Sequence, residues 1–391
     1  MIFAAWGASV AVSVPQGEPT PRPITTTDPA VAERLRRFRE ESTQDGPART
    51  PPPPSIRPAH LYNDATGPVE VLIRGGDGDG ALTLLLLDAS GEVLAVAHEV
   101  SGRVDLRSVL PPVKDLQKAA WLQLTRNDAP MGSPIVVQPM REPPPVRTMR
   151  DLRPGTTTEY TRVIGWGNEA LDAGDAKVKD EQAKWIAGDP PILSGYKVYA
   201  EMDAVIRTDH GEIRIAFAPD EAPATAWNFR TLARDGFYDD GGFHRVVPVD
   251  RQGRPFVIQG GDPTQTGNGG PGYALALEPS TLAHDYGVIS MARADDPHSA
   301  GSQFFLALGR EGCARLDGQY CAFGYAVAGN RTIDSIAATP IADVSEGRPA
   351  TIPKILTVRL VDAPARMPGI DRRSDRVTAT APAGETSPGA R

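Results

Sequence analysis

Apolar and polar positions along this chain fall into two dense regions separated by Pro-rich stretches. From residue 61 to 140, short apolar runs are divided by Gly, Asp and Pro: Val69 to Ile73, Leu82 to Leu87, Val93 to Ala97, Val104 to Leu106, Trp121 to Leu124 and Ile135 to Val137. Runs of this length bounded by turn formers read as strands. With Ala89-Ser90-Gly91 as a tight turn between the second and third, they predict a small β-sandwich-like module. It carries no paired carboxylates and no Ser/His/Asp grouping, and Asp77-Gly78-Asp79-Gly80 lacks the downstream Glu of a calcium loop, so it reads as a hairpin turn.

The second region opens at residue 202. Ala204 to Thr208 and Glu212 to Phe217 alternate around Asp209-His210-Gly211, the pattern of a β-hairpin. Pro223 then starts a helix that places Phe229, Leu232 and Ala233 on one face and ends at Gly236. Strand-like runs follow at 256–259, 287–291, 302–307, 322–327 and 355–360, and a unit so rich in strands is best closed as a barrel, because closure removes exposed edges.

The intervening stretches read as connectors. Residues 1–60 hold a possible signal segment, a short helix capped by Asp28 with Val31, Leu35 and Phe38 on one face, and the extended run Pro51 to Pro54. The uncharged stretch Ile2 to Val14 is too short to span a membrane stably. It reads either as the apolar part of an export signal, lacking the usual preceding Lys or Arg, or as a frayed terminus, and a periplasmic or otherwise exported protein is favoured over a cytoplasmic one. Residues 141–201 form a connector with a charged helix possible over 168–186, weakest at Gly174. Residues 365–391 read as a disordered tail.

Composition narrows the picture. The 39 Gly and 38 Pro work against long helices. A net charge of -8 with no long basic run speaks against nucleic acid as a partner. Cys313 and Cys321 have neither the pattern of a disulfide framework nor that of a zinc site, and the histidines have no paired ligand spacing, so no metal is implied. Gly267 to Gly272 fits a dinucleotide-loop pattern, but Pro271 and the lack of a following amphipathic helix argue against that use.

Within 202–364 the chain resembles cyclophilins at one motif after another. The strings are Trp227-Asn228-Phe229, Gly236-Phe237-Tyr238-Asp239-Asp240-Gly241, Phe243-His244-Arg245-Val246-Val247-Pro248, Phe256 to Thr264, Gly269 to Tyr273, Ser290-Met291-Ala292, Ala300 to Phe305, and Leu316-Asp317-Gly318 with Phe323-Gly324. The resemblance implies a mainly β fold, a closed eight-stranded barrel with two capping helices, and peptidyl-prolyl cis-trans isomerase activity without a cofactor. Such an enzyme would assist the folding of proline-containing peptides or unfolded clients.

The chemistry fits these residue types. Rotation about an Xaa-Pro bond must overcome amide resonance, a barrier of about 18–20 kcal/mol. A guanidinium can donate to the lone pair that appears on the prolyl nitrogen as the amide twists. The resemblance assigns that role to Arg245, and the proline pocket to Phe256, Val257, Phe305 and Leu316. It gives Gln259, Gln303 and the main chain at Ala292 and Arg293 to the peptide backbone, and Tyr320 to a hydrogen-bonding rim. His244 is expected to be a hydrogen-bonded structural residue, since isomerisation needs no proton transfer.

Two departures stand out. Residues 249–255 add a loop after Arg245, and Arg315 stands where Trp or Phe is common, which puts cyclosporin binding in doubt and leaves a non-catalytic proline-peptide scaffold as the alternative.

Overall fold

The computed structural model describes residues 53–75, 80–185 and 193–380. All of them belong to one compact unit, Pro52–Arg391. The expectations for an export signal, for the helix after Asp28 and for the turn at 77–80 fall wholly or mostly outside the described residues.

The first part is built from β1 (Ser55–Pro58), β2 (Tyr62–Asp64), β3 (Glu70–Arg74), β4 (Leu82–Leu87), β5 (Val93–Ala97), β6 (Gly102–Asp105), β7 (Ala120–Arg126), β8 (Ala129–Arg141), β9 (Val146–Leu152), β10 (Glu159–Trp166), β11 (Glu169–Ala170) and β12 (Leu193–Ala200). A sheet of order β1-β3-β6 and one of order β2-β12-β8-β7-β4-β5 contribute to a single buried cluster, with Val71 and Val104 from the first and Leu84, Leu122, Val137 and Val198 from the second. Alternation along β3 and β4 puts every second side chain into that cluster, as the apolar runs predict.

The stretch 141–201 is not a bare connector. It holds β9, β10 and β11 as a separate small sheet, and β12, which pairs with β8 from Leu193↔Arg141 to Ala200↔Ile135. The strands escape a reading by apolar runs because β9 is Val-Arg-Thr-Met-Arg-Asp-Leu, with no residue fully buried. The charged helix is shorter than 168–186: α1 spans Ala176–Gln182, the Asp175 side chain accepts from the Lys177 N–H to start it, and Glu169–Ala170 is taken by β11.

The second part contains β13 (Met202–Thr208), β14 (Gly211–Phe217), α2 (Pro223–Arg234), β15 (Gly241–Gly242), β16 (Arg245–Val249), β17 (Pro255–Gly260), β18 (Val288–Met291), β19 (Phe304–Ala307), β20 (Ala322–Ala328), α3 (Asn330–Ala337), β21 (Ile341–Asp343), β22 (Arg348–Pro349) and β23 (Lys354–Asp362). Nine of these strands form one curled sheet of order β15-β23-β13-β14-β20-β18-β19-β17-β16. The expected closed barrel of eight strands is instead a curled sheet of nine whose end strands β15 and β16 do not pair, and the extra strand arises because Phe243 and His244 interrupt one run of extended chain. Its first half, β15, pairs with β23, and its second half, β16, pairs with β17, so the two ends of the sheet are successive pieces of chain. Gly242 makes this junction possible: a Cβ there would lie 2.5 Å from Ile352 Cγ2 and 3.1 Å from the Pro353 carbonyl oxygen.

Inside the curl, Phe229 of α2 meets Phe304 edge-on at 5.4 Å and stacks on Tyr238 at 4.8 Å, and Phe243 is fully buried against Phe304. The helix begins at Pro223 and stops before Gly236, whose φ of +75° suits glycine. The Glu278 carboxylate accepts from the N–H groups of Ala224 and Thr225 at 2.9 and 2.7 Å, a counter-charge at the positive end of the helix.

The segment from 365 also departs from expectation. Arg366 and Arg372 are buried, donating to Glu201, and Arg372 donates to Asp203 as well, so residues 365–380 pack on the body, while 381–391 lie outside the described residues.

Candidate active site

Pairing of β16, β17, β19 and β18 sets the first row of the site. Arg245 lies opposite Gln259, Gln259 opposite Phe305, and Phe305 opposite Ser290, so a cation, an amide, an aromatic ring and a hydroxyl line up across four neighbouring strands. The loop 250–254 after Arg245 does not disturb this register. It is a tight turn in which the Asp250 N–H donates to the Arg254 carbonyl at 2.8 Å, and Val249 still pairs with Pro255.

The amides form a directed chain. Arg245 Nη1 donates to Gln259 Oε1 at 3.1 Å, Gln259 Nε2 donates to Gln303 Oε1 at 3.0 Å, and Gln303 Nε2 donates to the carbonyls of Gly267 and Gly269 at 2.9 and 2.8 Å. Each amide is thereby held in one orientation, and Arg245 keeps further N–H donors beyond the one Gln259 takes. Burial lowers the pKa of the half-buried Arg245, against the pull of Tyr320 and Glu346, yet a guanidinium stays charged at any physiological pH.

Beside this chain Val257, Phe305, Ala307, Cys313 and Leu316 form a small buried cluster, with Phe256, Ala292 and Tyr320 packed against it. The residues assigned to a proline pocket from their separate positions in the sequence thus come together. Tyr320 meets the Phe305 ring edge-on at 5.7 Å. Ala292 donates its N–H to the Gln303 carbonyl at 2.9 Å, tying the two walls of the site. The Arg293 side chain turns onto the protein: Nε donates to the Gln319 carbonyl, Nη1 to the carbonyls of Ala294 and Asp295, and the guanidinium sits 4.9 Å from the Tyr320 ring centre. An open cleft of about 660 Å³ adjoins Gln259 and Gln303, lined by the loop Gly267–Tyr273 and by Ala292 and Arg293. That loop leads into no helix before β18.

Arg315 takes a defined place. Its guanidinium lies 4.4 Å from the centre of the Phe256 ring and donates to Asp250 at 2.9 Å. Hydrogen bonds from Arg254 first, then from the Arg254 and Gln252 N–H groups and from Arg315, hold the Asp250 carboxyl well below the usual carboxylate range.

Support behind the pocket involves residues that sequence reasoning left without a role. The His284 ring stacks on Phe305 at 5.8 Å, with Nδ1 3.0 Å from Asp317 Oδ1 and Nε2 2.9 Å from Ser290 Oγ. Ser290 and Asp317 belong to the quoted motifs, whereas His284 lies in no motif and shows its place only through the fold. His244 is buried, its ring nitrogens make no short hydrogen bond, and the Gln303 side chain is its one weak hydrogen-bonding neighbour. Burial lowers its pKa, so the ring is neutral at neutral pH. Cys313 and Cys321 are free thiols, both buried.

The isomerase region is similar to known proteins. Residues 204–360 match the family model described as cyclophilin type peptidyl-prolyl cis-trans isomerase/CLD. A peptidyl-prolyl cis-trans isomerase of Synechococcus elongatus is 43% identical over 121 residues, which are 31% of this chain and 77% of that protein. The peptidyl-prolyl cis-trans isomerase-like 1 of Neurospora crassa is 37% identical over 164 residues, covering 41% of this chain and 94% of the relative. A crystal structure of a cyclophilin type isomerase from Cryptosporidium parvum aligns with a TM-score of 0.37 and 29% identity, over 41% of this chain and 99% of that one. With the motifs in register and the relatives covered over most of their length, this chain belongs to the cyclophilin-type peptidyl-prolyl cis-trans isomerase family.

Proposed function

We propose that the chain accelerates rotation about Xaa-Pro bonds in flexible or unfolded polypeptides, with Arg245 as the catalytic residue. The observation that carries this reading is the chain Arg245–Gln259–Gln303 running beside the pocket of Val257, Phe305 and Leu316. The proline ring seats against Phe305, and Gln259 holds the guanidinium so that its remaining donors face the prolyl nitrogen as the amide twists out of plane. A charged hydrogen bond formed only in the twisted state is worth roughly 1.5–3 kcal/mol, or about ten- to a hundredfold in rate. No proton is transferred, so a neutral His244 is compatible with the reaction.

A second reading, a proline-peptide binder without catalysis, draws on Arg315, whose guanidinium covers the Phe256 ring at the rim. The same cation would weaken cyclosporin binding. The deciding measurement is the cis-to-trans rate of a short Ala-Pro peptide with the full chain and with Arg245→Ala. Acceleration by the wild type that falls at least tenfold in the variant supports the enzyme; binding of the peptide with no change in its exchange rate supports the binder.

A further inference from the structure

The β9–β10 hairpin, which precedes the region matched by the family model, reaches the rim of the candidate site at two points. On one edge of β10, the Thr161 N–H and Oγ1 donate to the two carboxylate oxygens of Asp295, each at 2.8 Å, and Arg150 of β9 donates to the same carboxylate at 2.7 Å. Two residues along that edge, the Val163 N–H donates to Gln319 Oε1 at 2.9 Å and the Val163 carbonyl accepts from Gln319 Nε2 at 2.8 Å. β10 is the central strand between β9 and β11, but β11 pairs only with Gly165 and Trp166, so the stretch before them has no strand on this side, and such main-chain groups ordinarily find their partners in another strand. Here two side chains of the isomerase region take those main-chain groups instead. Val163 is fully buried in the same cluster as Phe229 and Phe304, and Leu171 just beyond the hairpin packs on Gly318, so the contact is a built one.

The two side chains belong to two segments that border the site. Asp295 follows Ala292 and Arg293, while Gln319 lies between Leu316 and Tyr320. Arg293 joins these segments by donating to the Gln319 carbonyl and packing on the Tyr320 ring, which in turn borders Phe305. We propose that the β9–β10 hairpin is a positioning element of the peptide site: by bridging Asp295 and Gln319 it fixes the spacing of the Arg293 and Tyr320 rims and so sets the affinity for the peptide. This rests on the reading of the groove as a proline-peptide site and adds to it a part contributed from outside the matched region.

The experiment uses the full chain with Gln319→Ala, Asp295→Ala and Asp295→Asn, and measures both the Kd for an Ala-Pro peptide and the KM and kcat of isomerisation. Loss of one clamp is expected to raise Kd and KM about three- to tenfold, the effect of one or two hydrogen bonds, with kcat within about twofold of wild type. Asp295→Asn, which keeps an acceptor for the Thr161 N–H, is expected to recover most of the affinity lost in Asp295→Ala. Leu152→Ala, on an exposed position of β9, should leave all three constants unchanged. Unchanged Kd and KM in Gln319→Ala and Asp295→Ala would overturn the proposal, as would a fall in kcat alone. Asp295 is itself half-exposed, so its variants do not threaten folding. Because Kd is read without catalysis, a wild type that binds but does not accelerate exchange defeats the enzyme reading while leaving the hairpin test intact.

Discussion

At the residue scale, the site depends on side chains whose orientation is set by neighbours. Gln259 accepts from Arg245 with its oxygen and donates to Gln303 with its nitrogen, so Gln259→Glu would put two acceptors where one donor is needed. We expect that substitution to lower kcat/KM about tenfold in the peptide assay, with a thermal midpoint close to wild type. The acid limit of the hairpin contact can also be read from one residue. Hydrogen bonds from the Thr161 N–H and hydroxyl, then from Arg150, pull the Asp295 pKa down to about 2, against about 3.9 in an unfolded chain. A depressed carboxyl stabilises the fold fully above the unfolded pKa and loses that effect as pH falls through the folded one. The gap in melting temperature between wild type and Asp295→Ala should therefore be constant above about pH 5 and close between about pH 4 and 2.

At the element scale, the curl of the nine-stranded sheet turns on the short β15 and the break after it. A side chain at Gly242 has no room against Ile352 and Pro353. Gly242→Ala should lower stability by about 1–3 kcal/mol, the usual cost of overpacking, seen as a lower urea midpoint with an unchanged slope. Hairpins and helix of the isomerase region were legible because each carries a local signal. Alternation marks β13 and β14, Pro223 and Gly236 bracket α2, and the turn at Asp209-His210-Gly211 is closed by Thr208, whose hydroxyl donates to the Gly211 carbonyl at 2.8 Å. The strands β9, β10 and β12 were not legible. β9 has no fully buried residue, so its hairpin with β10 carries no apolar run on that side, and β12 finds its partners β2 and β8 far back along the chain.

At the scale of the whole molecule, a buried apolar cluster and a group of buried ion pairs add to the β9–β10 clamp in joining the first part to the isomerase region and the segment after it. Trp121, Val136 and Tyr199 form a buried cluster that takes in Trp227 of α2. Below it, Glu201 accepts from Arg366 at 2.9 Å and Arg372 at 3.4 Å, and Arg372 also donates to Asp203 at 2.7 Å, with all four residues buried. Removing one member of such a group strands a charge in a place that water does not reach. Glu201→Ala is expected to cost about 3–5 kcal/mol, measured by chemical denaturation. Since β12 belongs to one sheet and β13, which follows it directly, to the other, tryptophan fluorescence and far-UV circular dichroism should report a single unfolding transition in the wild type. Two separated transitions would show that these contacts do not couple the parts.

The sequence by itself determined the elements whose cause is local, the mainly β character of the chain, and, through motifs in register, the family and the residues that meet around Phe305. Those motifs survive as linear strings because strand pairing copies their order into neighbouring rows, placing Arg245 beside Gln259 and Gln259 beside Phe305. Tertiary structure alone decided the rest: the packing of 365–380 through Arg366 and Arg372, the seat of His284 behind Phe305, and the clamp of Thr161 and Val163 on Asp295 and Gln319. Apart from the ring stack of His284, these are polar contacts between residues far apart in the chain. A hydrogen bond has no periodicity to betray it, and its partner is chosen only once the sheets have brought the two groups within about 3 Å.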